Sequence, residues 1–397
     1  MNNNTDNINY RIEFINKLLK NTNFESMVDL NNTDTEVFES KSTINDIRTL
    51  IPKKKYDFNH IISNIGGKLL YIKSGSTGHT FKSIFPTENT EINYAVKVVA
   101  YPKRDNYGNV YNKKRPENAE IMMLKTLSYF VLNNQTPHIV LPIATFYTAL
   151  QPFTTLSKSN IVNNKKYEQF LEKYKENEFY TDASILISEW ANGGDLLDYL
   201  RKSSNKLTTK EWRVIFFQII SVLAVIQKKY PSFRHNDLKA NNVLIQKISI
   251  NNNKNTQFKY KINNKEFYVP NIGLQIKLWD FDFASIPGIV ENDKVSAEWT
   301  NRINVDNKKN QYYDLHYFFN TLTRKGFISD FWDSKNISNK VKEFIKRIVP
   351  TKYREGDNIA ERGRLLLDIE YTTPDKILRD DPFFDKMRPL NSKLVKK

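Results

Sequence analysis

F-R-H-N-D-L-K-A-N-N-V-L-I, residues Phe233–Ile245, places three chemical functions in one short loop. The Asp237 carboxylate can accept a hydroxyl proton or orient a nucleophile, and the Lys239 ammonium can neutralise a phosphoryl group in flight. The Asn242 amide oxygen, five residues after the aspartate, can bind a metal. The apolar V-L-I that follows reads as a short strand fixing the loop. Those residue types in that order point to phosphoryl transfer, which calls for a second metal ligand. One stands in I-K-L-W-D-F-D-F-A-S, Ile276–Ser285, where Asp280 closes a strand. Magnesium prefers hard oxygens and retains waters and substrate phosphates, so one carboxylate and one amide oxygen suffice from the protein.

Upstream, S-G-S-T-G-H-T-F-K (Ser74–Lys82) lies between strand-like runs. Gly75 and Gly78, flanking Ser76, would let backbone N–H groups approach phosphates without Cβ interference. A hairpin turn accounts for them equally well, and the spacing is not that of the G-x-x-x-x-G-K-[ST] loop. In Y-A-V-K-V-V (Tyr94–Val99), Lys97 sits mid-strand among apolar residues, where a charge is costly unless paired. Glu120, on a helix read over Pro116–Phe130, is the partner; an edge lysine facing water is the plain alternative. Glu117 stands near the helix start, where an acidic residue has a dipole reason to be. E-W-A-N-G-G-D-L-L-D-Y-L (Glu189–Leu200) reads as a turn entering a helix. Its backbone, at Glu189 and Ala191, can meet an adenine edge, and Asp195 can reach a ribose.

Taken in chain order, these pieces resemble the eukaryotic-type protein kinase family from about residue 60 to 390. Gly75/Gly78, Lys97, Glu120, Asp237–Asn242 and Asp280 match its glycine loop, strand lysine, helix glutamate, catalytic loop and metal aspartate. The resemblance implies ATP and Mg²⁺ as cofactors, protein Ser/Thr hydroxyls as acceptors (from Lys239), and Asp314 in Y-Y-D-L-H-Y-F-F as a buttress of the catalytic loop. Within the family, W-D-F-D-F-A-S with Y-Y-D-L-H-Y-F-F is most similar to the Ser/Thr kinases of large cytoplasmic DNA viruses, of the poxvirus virion kinase type. That implies phosphorylation of viral structural or membrane-associated proteins, in the host cytoplasm and the virion. Four departures stand out: Lys73 replaces the first loop glycine, Asn236 the arginine before the catalytic aspartate, S-A-E-W (Ser296–Trp299) the A-P-E ending, and Asp282 the glycine of D-F-G. Asp282 is read as stiffening the segment start by accepting a backbone hydrogen bond; direct metal contact is the other reading.

The rest of the chain fits one α+β, bilobal, kinase-like fold: a small β-rich lobe, then a larger, mainly helical one. The expected organisation is a polar extension (1–55) with one amphipathic helix, an N-lobe (56–188) with an insertion at about 154–182, a C-lobe (189–390) with an insertion at about 248–273, and a basic tail (391–397). The second insertion has a hairpin look around Asn263–Asn264. In the extension, Ile12, Ile15, Leu18 and Leu19 have helical spacing suited to docking on the main body. The chain of 397 residues carries a formal charge of +16 and no cysteine, which excludes disulfides and thiolate chemistry and favours acidic partners. Its start lacks signal-peptide character, and its most apolar run, Val214–Ile226, is too short to span a bilayer, so a soluble protein is expected. The basic ends (Lys53–Lys55; Lys393, Lys396, Lys397) offer weak contact with anionic lipid. Three other readings compete. A small-molecule kinase of the choline or aminoglycoside type would share H-N-D and W-D-F-D. A pseudokinase scaffold would not need the full catalytic set. A nucleic-acid binder would show stacking aromatics, and no specific nucleic acid is expected.

Overall fold

The computed structural model describes residues 8–20, 22, 24–28, 44–75, 77–86, 91–156, 164–250 and 256–389; Ser76 and the basic tail lie outside them. Five antiparallel strands form the first lobe: β1 (Lys68–Ser74), β2 (Gly78–Pro86), β3 (Glu91–Pro102), β4 (Pro142–Ala149) and β5 (Phe179–Glu189), in the order β1-β2-β3-β5-β4. Their apolar alternation buries Val96, Val98 and Ala100 on one face of β3, which leaves Lys97 to the other. Two short helices precede the sheet, α1 (Ile8–Leu19) and α2 (Phe58–Ile65). Between β3 and β4 runs α3 (Pro116–Leu132), which begins with proline at its first turn, where a missing N–H costs nothing.

The second lobe carries α5 (Leu196–Ser203), α6 (Thr209–Lys229), α7 (Glu298–Asn301), α8 (Tyr313–Leu322), α9 (Asn339–Ile348) and α10 (Pro374–Asp380); α4 (Asn164–Lys175) lies earlier, between β4 and β5. Thr208 and Glu211 cap α6 reciprocally, and its central residues are buried on all sides. Phe216 packs on Phe319, Phe344 and Phe383 with centroids 4.9–6.3 Å apart. Deleting one such ring from a packed core costs roughly 3–5 kcal/mol. Among the described residues no helix is long and apolar enough to cross a membrane.

Beneath the seam, β6 (Val243–Lys247) pairs with β9 (Leu274–Leu278), which sets the loop before β6 against the one after β9. Both stretches read as insertions carry inward faces. In the first, α4 buries Tyr167 and Phe170, with Phe170 4.6 Å from the His79 ring, and β5 already starts at Phe179. In the second, β7 (Gln257–Ile262) and β8 (Lys265–Pro270) form a hairpin closed by Asn263 and Asn264. Both asparagines have positive φ (47° and 67°), as a two-residue hairpin turn requires. Tyr260 of this hairpin packs on Phe217 (5.2 Å) and stacks on His138, whose Nε2 lies 2.9 Å from the tyrosine oxygen. Apolar residues at alternate positions carry these contacts, beneath a surface polar enough to resemble a loop.

Candidate active site

The Lys97 ammonium donates to Glu120 Oε1 at 2.6 Å and to Asp280 Oδ1 at 3.2 Å, which joins strand β3, helix α3 and the loop after β9. The β3 register sets Lys97 opposite Thr80 and Leu186. Burial works against this charge, but Glu120 and then Asp280 outweigh it and raise the lysine pKa above its ordinary value. The carboxylates part ways. Burial lifts Glu120 to about 7 against the pull of Lys97, with Asp280 and Asp282 adding to the rise. Asp280 is held down at about 2 because Lys97 overcomes its burial. One ammonium thus serves two carboxylates, Glu120 and Asp280, which leaves room for a second cation beside Asp280.

Asp314, fully buried at the start of α8, accepts from the backbone N–H groups of His235 (2.7 Å) and Asn236 (2.9 Å) and so fixes the loop before β6. Asp237 Oδ2 accepts from Lys239 Nζ at 2.8 Å and Asn242 Nδ2 at 2.9 Å; Oδ1 accepts from Arg364. Asn242 spends its amide nitrogen on Asp237 and accepts Asn241 Nδ2 on its oxygen at 3.3 Å, which leaves that oxygen one further lone pair for another ligand. Asp280, 40% exposed at its side chain, would supply the other hard oxygen. That donor pair fits Mg²⁺ sharing its shell with phosphates, and among the described residues no group of three or more His, Cys, Asp or Glu offers a metal a fuller cage.

Asp280 has φ 63°, a left-handed conformation that is costly for a residue with a Cβ, and Phe281 behind it is buried against His235 at 5.0 Å. Asp282 departs from expectation. Its carboxylate accepts the Lys294 ammonium instead of a backbone N–H, and Lys294 also lies 3.8 Å over the Phe283 ring. The Asp282 and Ala284 carbonyls are held by Asn292 Nδ2 at 2.9 and 3.2 Å. Asn236, with φ 62°, donates to the Phe283 and Asp306 carbonyls. Two residues before Asn236, the buried Arg234 pairs with Asp306 and lies 3.8 Å over the Tyr313 ring. Trp299, in S-A-E-W, is half exposed and meets Phe283 edge-on at 6.0 Å.

At the seam, the Glu189 side chain points away from any nucleotide role. Both its oxygens accept from the buried Arg11 of α1 at 2.7 Å, and Oε2 also accepts Leu141 N at 2.8 Å. Arg11 further donates to the Pro137 and Ile139 carbonyls. A cavity of about 140 Å³ lies here, lined by Tyr10, Phe14, Trp190, Ala191 and Gln246 among others. Lys97, Asp237 and Asp280 do not line it. Asp195 caps α5 through Asp198 N at 2.9 Å, so the carboxylate expected at a ribose has a local use. Gly78 has one as well: a Cβ there would sit 1.9 Å from the Val98 carbonyl oxygen, so close approach to β3 demands glycine. Gly75 meets no such obstacle, its N–H closing a turn onto Gly78 O at 2.7 Å.

Sequence reasoning missed Arg11, Lys294 and Arg364. Arg11 had a readable signal, because Arg11, Ile15 and Leu18 share one helical face and all three are buried. Lys294 and Arg364 had none, standing in polar stretches without periodicity.

A family model for poxvirus serine/threonine protein kinases matches residues 106–383. A mimivirus protein from Acanthamoeba polyphaga mimivirus, named as a serine/threonine-protein kinase, is 47% identical over 384 residues, which is 95% of this chain and 80% of that protein. A second mimivirus protein with the same type of name is 29% identical over 262 residues, 56% of this chain and 64% of its own. Serine/threonine-protein kinase 2 of swinepox virus is 26% identical over 275 residues, 65% of this chain and 50% of that protein.

Proposed function

This chain belongs to the poxvirus serine/threonine protein kinase family and is a serine/threonine kinase of viral type; from that premise we propose that it moves the γ-phosphoryl group of ATP onto Ser and Thr hydroxyls of proteins. The observation that carries the reading is the Lys97 ammonium held between Glu120 and Asp280, because one fixed cation there joins the strand, the helix and the loop that carry the expected phosphate and metal ligands. Gly75, Ser76 and Gly78 would cover the phosphates while Lys97 meets them, and the backbone at Glu189 and Ala191 would take the adenine edge. Asp195, whose Oδ1 caps α5, would reach the ribose with its other oxygen. Asn242 and Asp280 would hold Mg²⁺, which when bound offsets phosphate charge and sets the γ-phosphoryl in line. Asp237 orients the acceptor hydroxyl and takes its proton, and Lys239 stabilises the charge spread over the moving group.

No relative named above is named for a small-molecule acceptor. The further expectations are viral structural or membrane-associated proteins as substrates, weak contact with anionic lipid through basic segments, and residence in host cytoplasm and virion. Asp237→Asn should abolish transfer while nucleotide binding stays within about twofold. Full activity in that variant would sink the assignment. Labelled ATP offered to a mixed protein pool, with choline and aminoglycosides in parallel, should label protein; label on the small molecules alone would overturn the reading.

A further inference from the structure

Arg364 reaches the Asp237 carboxylate from 127 residues further along the chain. Its side chain is 6% exposed, and a buried guanidinium is costly unless each face has work. Nη1 donates to the Asn236 carbonyl and, at 3.1 Å, to Tyr313 Oη; Nη2 donates to Asp237 Oδ1; and the guanidinium lies 4.0 Å over the Tyr317 ring. The backbone that delivers it is tied down. Gly363 has φ 89°, and a Cβ there would come within 2.7 Å of the Arg324 side chain. Its carbonyl accepts Asn320 Nδ2 at 2.9 Å, while Asn304 Nδ2 holds the Leu365 carbonyl at 2.9 Å. Gln311 N closes the strap on Glu370 at 2.7 Å. Arg364 is thus presented by an organised strap running from the end of α9 back across the segment that follows Asp280.

Resting on the kinase reading, we propose that Arg364 is a positioning residue for phosphoryl transfer, fixing the direction in which Asp237 meets the acceptor hydroxyl. A carboxylate offers about four lone-pair sites. Lys239 and Asn242 fill both on Oδ2, and Arg364 fills one on Oδ1, so one remains on Oδ1. In the transfer, the acceptor oxygen forms its bond to the γ-phosphorus as its proton passes to that site. The bond from phosphorus to the β–γ bridging oxygen breaks, and ADP leaves with the electron pair. Rotation of Asp237 would misdirect the proton without touching the nucleotide.

Transfer to a protein acceptor, ATP affinity and melting temperature are to be measured for Arg364→Ala and Arg364→Lys, each with and without Asp237→Asn. Arg364→Ala should lose roughly 10²-fold in kcat, the scale for a misplaced reacting group, with KM for ATP within about twofold. Arg364→Lys should recover part of that loss, as should guanidinium ion added to Arg364→Ala well below denaturing concentrations. In the Asp237→Asn background, where transfer is already lost, removing Arg364 should leave ATP affinity within about twofold. Wild-type kcat in Arg364→Ala would overturn the inference. So would kcat, ATP affinity and melting temperature falling together without guanidinium rescue, the signature of a prop. A wild-type protein inactive on every acceptor would overturn the kinase reading itself and this inference with it.

Discussion

Asp282 stands where the kinase pattern has glycine, yet its backbone does not use glycine's freedom. Among the described residues the left-handed φ of this stretch belongs to Asp280, at 63°, and not to residue 282. A Cβ at 282 is therefore free of strain, and its carboxylate ties Lys294 while Asn292 holds the backbone on either side. Asp282→Gly should keep transfer within about threefold and leave the Mg²⁺ dependence unchanged. It should lose less than about 1 kcal/mol, because the Lys294 pair is more than a third solvent-exposed on the Asp282 side. Kinetics across a magnesium titration checks this; a raised magnesium requirement would make Asp282 a ligand. Residues such as Lys97, Asp237 and Asp280 were legible in the sequence because charges stand out in apolar strands and at fixed loop spacing. Two partners were not, since Arg364 meets Asp237 and Lys294 meets Asp282 only through the tertiary path of the chain.

Helix α1 shows the same limit at the scale of an element. Its apolar spacing announces a docking helix, and Ile15 and Leu18 are buried. What the spacing does not disclose is the dock, the back of the turn that joins the lobes. Arg11 holds the Glu189 carboxylate below its ordinary pKa although burial pushes the other way. Arg11→Ala would leave that buried carboxylate with Leu141 N and the charge of Lys277, a loss of roughly 3–5 kcal/mol. The expected results are a lower melting temperature and a raised KM for ATP, with Arg11→Ala/Glu189→Gln recovering much of the stability. Additive losses in the double variant would break the link. The β7–β8 hairpin was legible from Asn263–Asn264, whereas its packing on α6 was hidden because only alternate residues carry it.

Across the whole molecule, the split between strand-rich and helical halves follows from periodicity, while the sheet order does not, because β5 slots between β3 and β4 by register alone. Three histidines spread through both lobes make acid a global stress. Burial lowers His79 and His316 to about 4 and His138 to about 3; beside His138, Lys277 and Arg11 add to the fall. A depressed pKa means stability is full above the unfolded value of 6.5 and drains as pH falls toward the folded values. Each histidine then costs up to about 1.4 kcal/mol per pH unit. Urea midpoints should drop between pH 7 and pH 5, and His79→Gln should show a shallower drop; an unchanged slope would count against it. The latch of α1 on the seam bears on how the chain is made. Glu189 follows Arg11 by 178 residues, so at 5–20 residues per second a ribosome delivers the lock roughly 10–35 s after the key. Through that interval the helix has no dock, which makes its closing a late event of biosynthesis and the nascent Arg11 face a surface that other molecules in the cell can meet first.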